Sequence, residues 1–181
     1  MKRLLICAGA LIAATVSLSA QQNPPASPAE TASGTIGGKA ISISYNSPRV
    51  KGREGHIFTK DGLISHNPHY PIWRAGANSA TTLHADADLK IGDITVPNGT
   101  YTLFVDISDP DNWVLIVNKK TGEWGLAYDP SQDLGKTKMK MSKPPAMVED
   151  LKYTITDSGG GSGTITLAWE DHVASVPVSA H

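Results

Sequence analysis

From Lys39 onward, apolar residues recur at every second position, the period of a half-buried strand rather than of a helix. Ile41, Ile43 and Tyr45 alternate with Ser42 and Ser44, and Thr81 to Ala85 is a β-prone stretch behind the turn-like Ala75-Gly76-Ala77-Asn78. Leu89-Lys90-Ile91 and Ile94-Thr95-Val96 flank Gly92-Asp93, the spacing of a two-residue hairpin. Pro97-Asn98-Gly99 turns the chain into a strand from Thr100 to Ile107, and Asp109-Pro110-Asp111-Asn112 turns it into another from Trp113 to Val117. Further strands are predicted over Glu123 to Tyr128, Thr137 to Met141, Leu151 to Thr156, Thr164 to Trp169 and Val173 to Val178, with Pro177 placing the last at a sheet edge. No segment carries the apolar stripe of a three-turn amphipathic helix.

About nine or ten short strands separated by turn chemistry predict an all-β domain: an antiparallel β-sandwich, jelly-roll-like in its uneven connections, with a closed barrel as the alternative. Trp113, Trp169, Phe104, Leu103, Ile155 and Leu167 lie in the clearest strand segments and are the expected core. No internal repeat is evident, which argues against a propeller or solenoid.

The N-terminus follows different rules. Lys2 and Arg3 precede an apolar run from Leu4 to Val16, thirteen residues and too short for a spanning helix. Small residues follow, and Leu18-Ser19-Ala20 before Gln21 reads as a signal-peptidase site. Residues 1–20 are therefore expected to be a signal peptide, residues 21–38 a disordered linker rich in Pro, Ser and Ala, with a short first strand around Thr35-Ile36 as the alternative, and residues 39–181 the β-sandwich domain. Cys7 sits behind Ile6 with almost no apolar run upstream, unlike a lipoprotein cysteine. Cleavage after Ala20 leaves no cysteine, so the mature chain has no disulfide, thiol nucleophile or thiolate metal site. Removing Lys2 and Arg3 lowers Lys+Arg from 16 to 14 against 17 Asp+Glu, a net charge of about −3 that disfavours nucleic acid as a partner. No transmembrane segment is expected after signal removal, and the expected location is the periplasm or the medium.

One stretch breaks the strand rhythm. From Asn46 to Asn78 the chain is irregular and proline-punctuated, with three histidines and three arginines. Connections of this length in compact domains usually cover an end of the fold or carry a site. Within it, Ser47-Pro48-Arg49, Gly52-Arg53, Ile57-Phe58 and Trp73-Arg74-Ala75-Gly76-Ala77-Asn78 with Ala80-Thr81-Thr82 stand in a fixed order. Pro97-Asn98-Gly99-Thr100-Tyr101-Thr102-Leu103-Phe104, Trp113, Val117-Asn118, Trp124-Gly125, Trp169 and Val176-Pro177 continue the set. In this the chain resembles a secreted bacterial family catalogued as a domain of unknown function, common in Bacteroidetes- and Acidobacteria-type envelopes. The likeness runs from about Ile41 to Val178. It implies an envelope protein and carries no catalytic residue across. At His66-Asn67-Pro68-His69 the chain departs from the family's Val-Pro-Tyr-Gly-like stretch.

The candidate site is the segment around Trp73. Arg74 and Arg49 offer planar forks for a carboxylate, a phosphate or backbone carbonyls. Asn78 can donate and accept, Trp73 offers a flat apolar face, and Thr81 adds a hydroxyl. These five residues suit a small polar ligand, a glycan or an envelope partner, with no cofactor expected. For Arg74 itself the reading leans to a structural tie that binds loop carbonyls, and Asn78 suits a left-handed turn. A second reading is a metal-assisted hydrolase built on His66 and His69, although no third ligand is announced by spacing. A third is a purely structural envelope domain. Acyl-transfer motifs are absent, and Asp106, Glu123, Glu149 and Glu170 as paired carboxylates have no readable separation. The residues favour a noncatalytic role. N-terminal sequencing of the exported protein is expected to start at Gln21; retention of Met1, or lipid on Cys7, would contradict the address.

Overall fold

The computed structural model describes residues 25–180. The expected signal peptide, Cys7, the expected cleavage site and the first residues of the expected linker lie outside the described residues. Thirteen strands follow in order: β1 (Ala29–Ile36), β2 (Lys39–Asn46), β3 (Ile72–Trp73), β4 (Thr81–Ala85), β5 (Leu89–Ile91), β6 (Ile94–Val96), β7 (Gly99–Asp106), β8 (Val114–Asn118), β9 (Asp133–Lys138), β10 (Lys140–Ser142), β11 (Val148–Gly159), β12 (Ser162–Glu170) and β13 (His172–Ala180). They form two antiparallel sheets. One runs β1-β2-β4-β7-β8-β9, with β3 also on β7; the other runs β11-β12-β13-β5-β6, with β10 also on β13. The fold is an all-β antiparallel sandwich, as the period-two pattern predicts.

The alternation explains the core. Ile41, Ile43 and Tyr45 of β2, Leu83 and Ala85 of β4, Ile165, Leu167 and Trp169 of β12, and Ala174, Val176 and Val178 of β13 all turn inward and are buried. Leu103, Trp113, Leu167 and Trp169 take their expected core places, and Ile155 packs against the cluster half-buried. Phe104 is also buried, but it belongs to the opposite face of β7, where its ring meets Tyr128 edge-on at 4.9 Å. The sheets nearly touch along both sides: β1 lies against β11, and β6 against β9. Glycine permits both approaches, since a Cβ on Gly34 would sit 3.0 Å from Ile155 Cγ2 and one on Gly135 2.8 Å from Ile94 Cγ2. No ladder joins the sheets among the described residues, so the barrel alternative does not hold.

Three expectations change. The linker expected over residues 21–38 contains β1, which pairs with β2 along its full length from Ala29↔Asn46 to Ile36↔Lys39. Its side chains are small, and only Ile36 is fully buried, so backbone pairing and the Gly34 contact hold it instead of apolar mass. Glu123 to Tyr128, predicted as a strand, makes one bridge, Ser79↔Trp124, and leaves Trp124 59% exposed. Pro177 lies inside its sheet, not at the edge: β10 covers β13 at residues 173–175 and β5 at 178–180, and the proline falls in the gap between them. Its carbonyl still accepts from Gly92 N–H at 2.9 Å.

Truncating Phe104 to Ala empties a buried aromatic site and is expected to lower unfolding free energy by about 3–5 kcal/mol in denaturant titration. A loss under about 1 kcal/mol would contradict its burial.

Candidate functional site

The irregular connection after β2 is a plug. Its start is tied to the second sheet: Ser47 Oγ donates to Leu151 O at 2.7 Å, Leu151 N–H to Pro48 O, and Val50 N–H to Glu149 O. Its middle goes inside, with Ile57 fully buried. The Phe58 ring packs among Trp73, Trp113, Trp169 and His172 at centroid distances of 4.5–5.6 Å. Trp73 stacks on Trp169 at 5.8 Å, and Trp113 on His172 at 5.2 Å. Such pairs add about 0.5–1.5 kcal/mol each beyond the area they bury. Gly55 N–H donates to the Glu170 carboxylate and latches the plug to the β12–β13 turn.

The segment from Trp73 to Thr81 is held by its own carbonyls. Trp73 Nε1–H donates to Gly76 O at 3.2 Å. Ala75 adopts φ 51°, a left-handed conformation that costs an alanine about 1–2 kcal/mol. Its carbonyl accepts from Tyr153 OH at 3.0 Å and from Thr81 Oγ1–H at 3.1 Å, all in the interior. Burial holds the Tyr153 phenol well above its ordinary range, so it remains a donor. Ala77 N–H donates to Asn46 O. Asn78, at φ 54°, turns the chain again, and its carbonyl accepts from Gly125 N–H at 3.1 Å.

Arg74 stands between the inward Trp73 and Ala75 and lines a cleft of about 410 Å³. Its Cδ lies where a Cβ on residue 125 would be, so only glycine fits there. The guanidinium was expected to tie backbone carbonyls; instead its Nε is buried with no hydrogen-bond partner among the described residues. Desolvation lowers its pKa and no opposing charge offsets the effect. Three more cations line the cleft, Arg49, Lys51 and Arg53, and no Asp or Glu is among its described lining. Two of them are partly engaged. Arg49 Nε lies 2.8 Å from Asp150 Oδ1, close enough for an ion pair but misaligned for a hydrogen bond. Arg53 donates to Val50 O at 3.0 Å and Arg49 O at 2.6 Å. Leu63, Ile64 and Leu126 supply apolar wall, with Trp73 and Trp169 beneath.

Of the residues singled out from sequence, Arg49, Trp73 and Arg74 come together on this cleft. Thr81 is fully buried and holds Ala75, while Asn78 holds the Gly125 segment, so neither lines it. His66 lines the cleft with Nδ1 3.0 Å from Gly62 O, whereas His69 packs against Tyr128 at 6.0 Å. Neither histidine belongs to a group of three metal-ligating side chains among the described residues. Among the described residues, a close group of imidazole and carboxylates occurs instead at Glu170, Asp171 and His172. Lys51 and Arg53 were missed, although Arg49-x-Lys51-x-Arg53 is a visible alternation of cations. Leu63 and Leu126 gave no signal.

Residues 27–178 match the family described as "Protein of unknown function (DUF2911)". The chain, a two-sheet sandwich with a cation-lined cleft at its plugged end, belongs to that family. No curated protein and no solved structure matches it.

The turn beside the plug makes stability depend on pH. Burial against Phe58 and Trp113 lowers the His172 pKa from 6.5, Asp171 at 2.6 Å opposes this, and Lys143 reinforces it. A depressed imidazole contributes stability above its unfolded pKa and loses it as pH falls through the folded one. Glu170, raised by burial, has the opposite sign and favours the fold below its unfolded pKa. The stability difference between wild type and His172→Gln is therefore expected to shift against wild type as pH falls below about 6.5. Denaturant midpoints at neutral and mildly acid pH measure this, and a constant difference would contradict it.

Proposed function

We propose that this protein is an exported, noncatalytic envelope domain that binds a small anionic ligand in the cleft beside Arg74. The half-buried Arg74 side chain, whose buried Nε has no hydrogen-bond partner among the described residues, carries the reading. Partial burial of a charge without an opposing one is unfavourable, and a group so perturbed in a cleft is a candidate for ligand contact. Arg74 reads a planar anion through paired N–H donors, and Lys51, Arg49 and Arg53 add positive potential at the same opening. The ligand is a carboxylate, phosphate or sulfate. The plug and the carbonyl-held loop make the cleft preformed, which lowers the ordering cost of binding.

Export rests on the basic start, the short apolar run and the small residues before Gln21. Among the described residues no helix is long and apolar enough to cross a membrane.

Titration calorimetry with inorganic phosphate, sulfate and acetate tests the reading. Arg74→Lys keeps the charge but loses the planar fork, and is expected to weaken binding roughly 10-fold, about 1.4 kcal/mol, with little change in melting temperature. Binding that is absent in wild type, or identical in Arg74→Lys, would contradict it.

A further inference from the structure

We infer that the anion bound beside Arg74 is carried on an apolar body, so that the ligand is a small single-chain amphiphile such as an alkyl carboxylate or alkyl phosphate rather than a sugar acid. This rests on the anion reading above and specifies the rest of the ligand.

The cleft lining combines two chemistries. One is cationic. The other is aliphatic, built by Leu63, Ile64 and Leu126, and two of these three leucine-type surfaces stand open in the free protein: Leu63 is 40% exposed and Leu126 36%. The plug places Leu63 at the rim immediately before the buried Ile64, while the segment behind Gly125 places Leu126 beside the Arg74 side chain. Apolar surface left open within a concave, cation-lined cleft gains free energy only when another apolar group covers it.

A sugar would want a different lining. Sugar rings stack on open aromatic faces, but Trp73 is 3% and Trp169 2% exposed, each ring already stacked on the other. Sugar hydroxyls want a dense set of acceptors. Beside its cations, which donate only, the described lining has three acceptor-capable side chains, Ser27, His66 and Asn67; His66 Nδ1 already faces Gly62 O and Asn67 Oδ1 already accepts from His69 N–H, so the acceptor set is sparse. An anionic head against Arg74 with a short chain along Leu63, Ile64 and Leu126 satisfies both chemistries. The volume of about 410 Å³ is near the small end for ligand pockets and suits one such molecule.

A homologous series tests this: inorganic phosphate, then butyl, hexyl and octyl phosphate below their aggregation concentrations, with glucose 6-phosphate as the polar comparison, titrated into the mature protein. Each methylene buried is worth about 0.8 kcal/mol, so affinity is expected to rise about 3–4-fold per methylene until the wall is covered. Leu126→Asn is expected to flatten that rise, so that the ratio of octyl to inorganic phosphate affinity falls several-fold relative to wild type. Arg74→Gln is expected to weaken every member of the series. A series that is flat with chain length in wild type, or glucose 6-phosphate binding more tightly than hexyl phosphate, would overturn the amphiphile while leaving the anion reading standing. Failure of inorganic phosphate and all alkyl phosphates to bind would overturn both.

Discussion

The carbonyl of Ala75 is the point on which the cleft depends. Two hydroxyls from different parts of the fold, Tyr153 of β11 and Thr81 of β4, donate to it inside the protein. Two buried hydrogen bonds at about 1 kcal/mol each are enough to offset the left-handed backbone of an alanine. With Trp73 anchored below and Ala75 captured behind, the residue between them must face outward. The sandwich thereby presents Arg74 in a fixed direction, and the Gly125 segment packs close against its stem.

The plug supplies the rest. Ile57 and Phe58 fill the end of the sandwich that the two sheets leave open, and the aromatic cluster around Phe58 joins the plug to β3, β12 and β13. The stretch on either side of that anchor brings Arg49, Lys51, Arg53 and Leu63 to the same cleft. A segment without regular structure can therefore carry a rigid site, because its ends are tied to β11 and its centre is core. The concentration of cations on a chain of formal net charge −1 is local. It arises from placement and not from composition.

Much of this was legible from residue order alone. Period-two alternation revealed the sandwich and most of its strands, because strand-forming side chains on β2, β4, β7, β12 and β13 are also the core. β1 was not legible, since its small residues signal a linker while its stability comes from pairing with β2. Pro177 misled because a proline tolerates any place where no ladder bond is required, including a gap between β10 and β5. Around the site, residue types marked the right segment but not the roles within it. Thr81 and Asn78 have ligand-binding chemistry that the structure spends on backbone carbonyls. Arg74 has tie-forming chemistry that it leaves unspent. Only three-dimensional packing separates these outcomes. Leu126 enters through a turn distant in sequence and carries no pattern of its own.

Arg74 is held half-buried with its Nε unpartnered among the described residues, and replacement by an apolar residue of similar length measures the cost of that most directly. A half-buried charge without a partner carries a desolvation cost that an apolar side chain of similar length does not. Denaturant unfolding of Arg74→Met in the absence of added anion is therefore expected to match or exceed wild type, while added phosphate stabilises wild type and leaves the variant unmoved. A variant that loses more than about 1 kcal/mol without anion would show that Arg74 ties the loop together, and would contradict the claim.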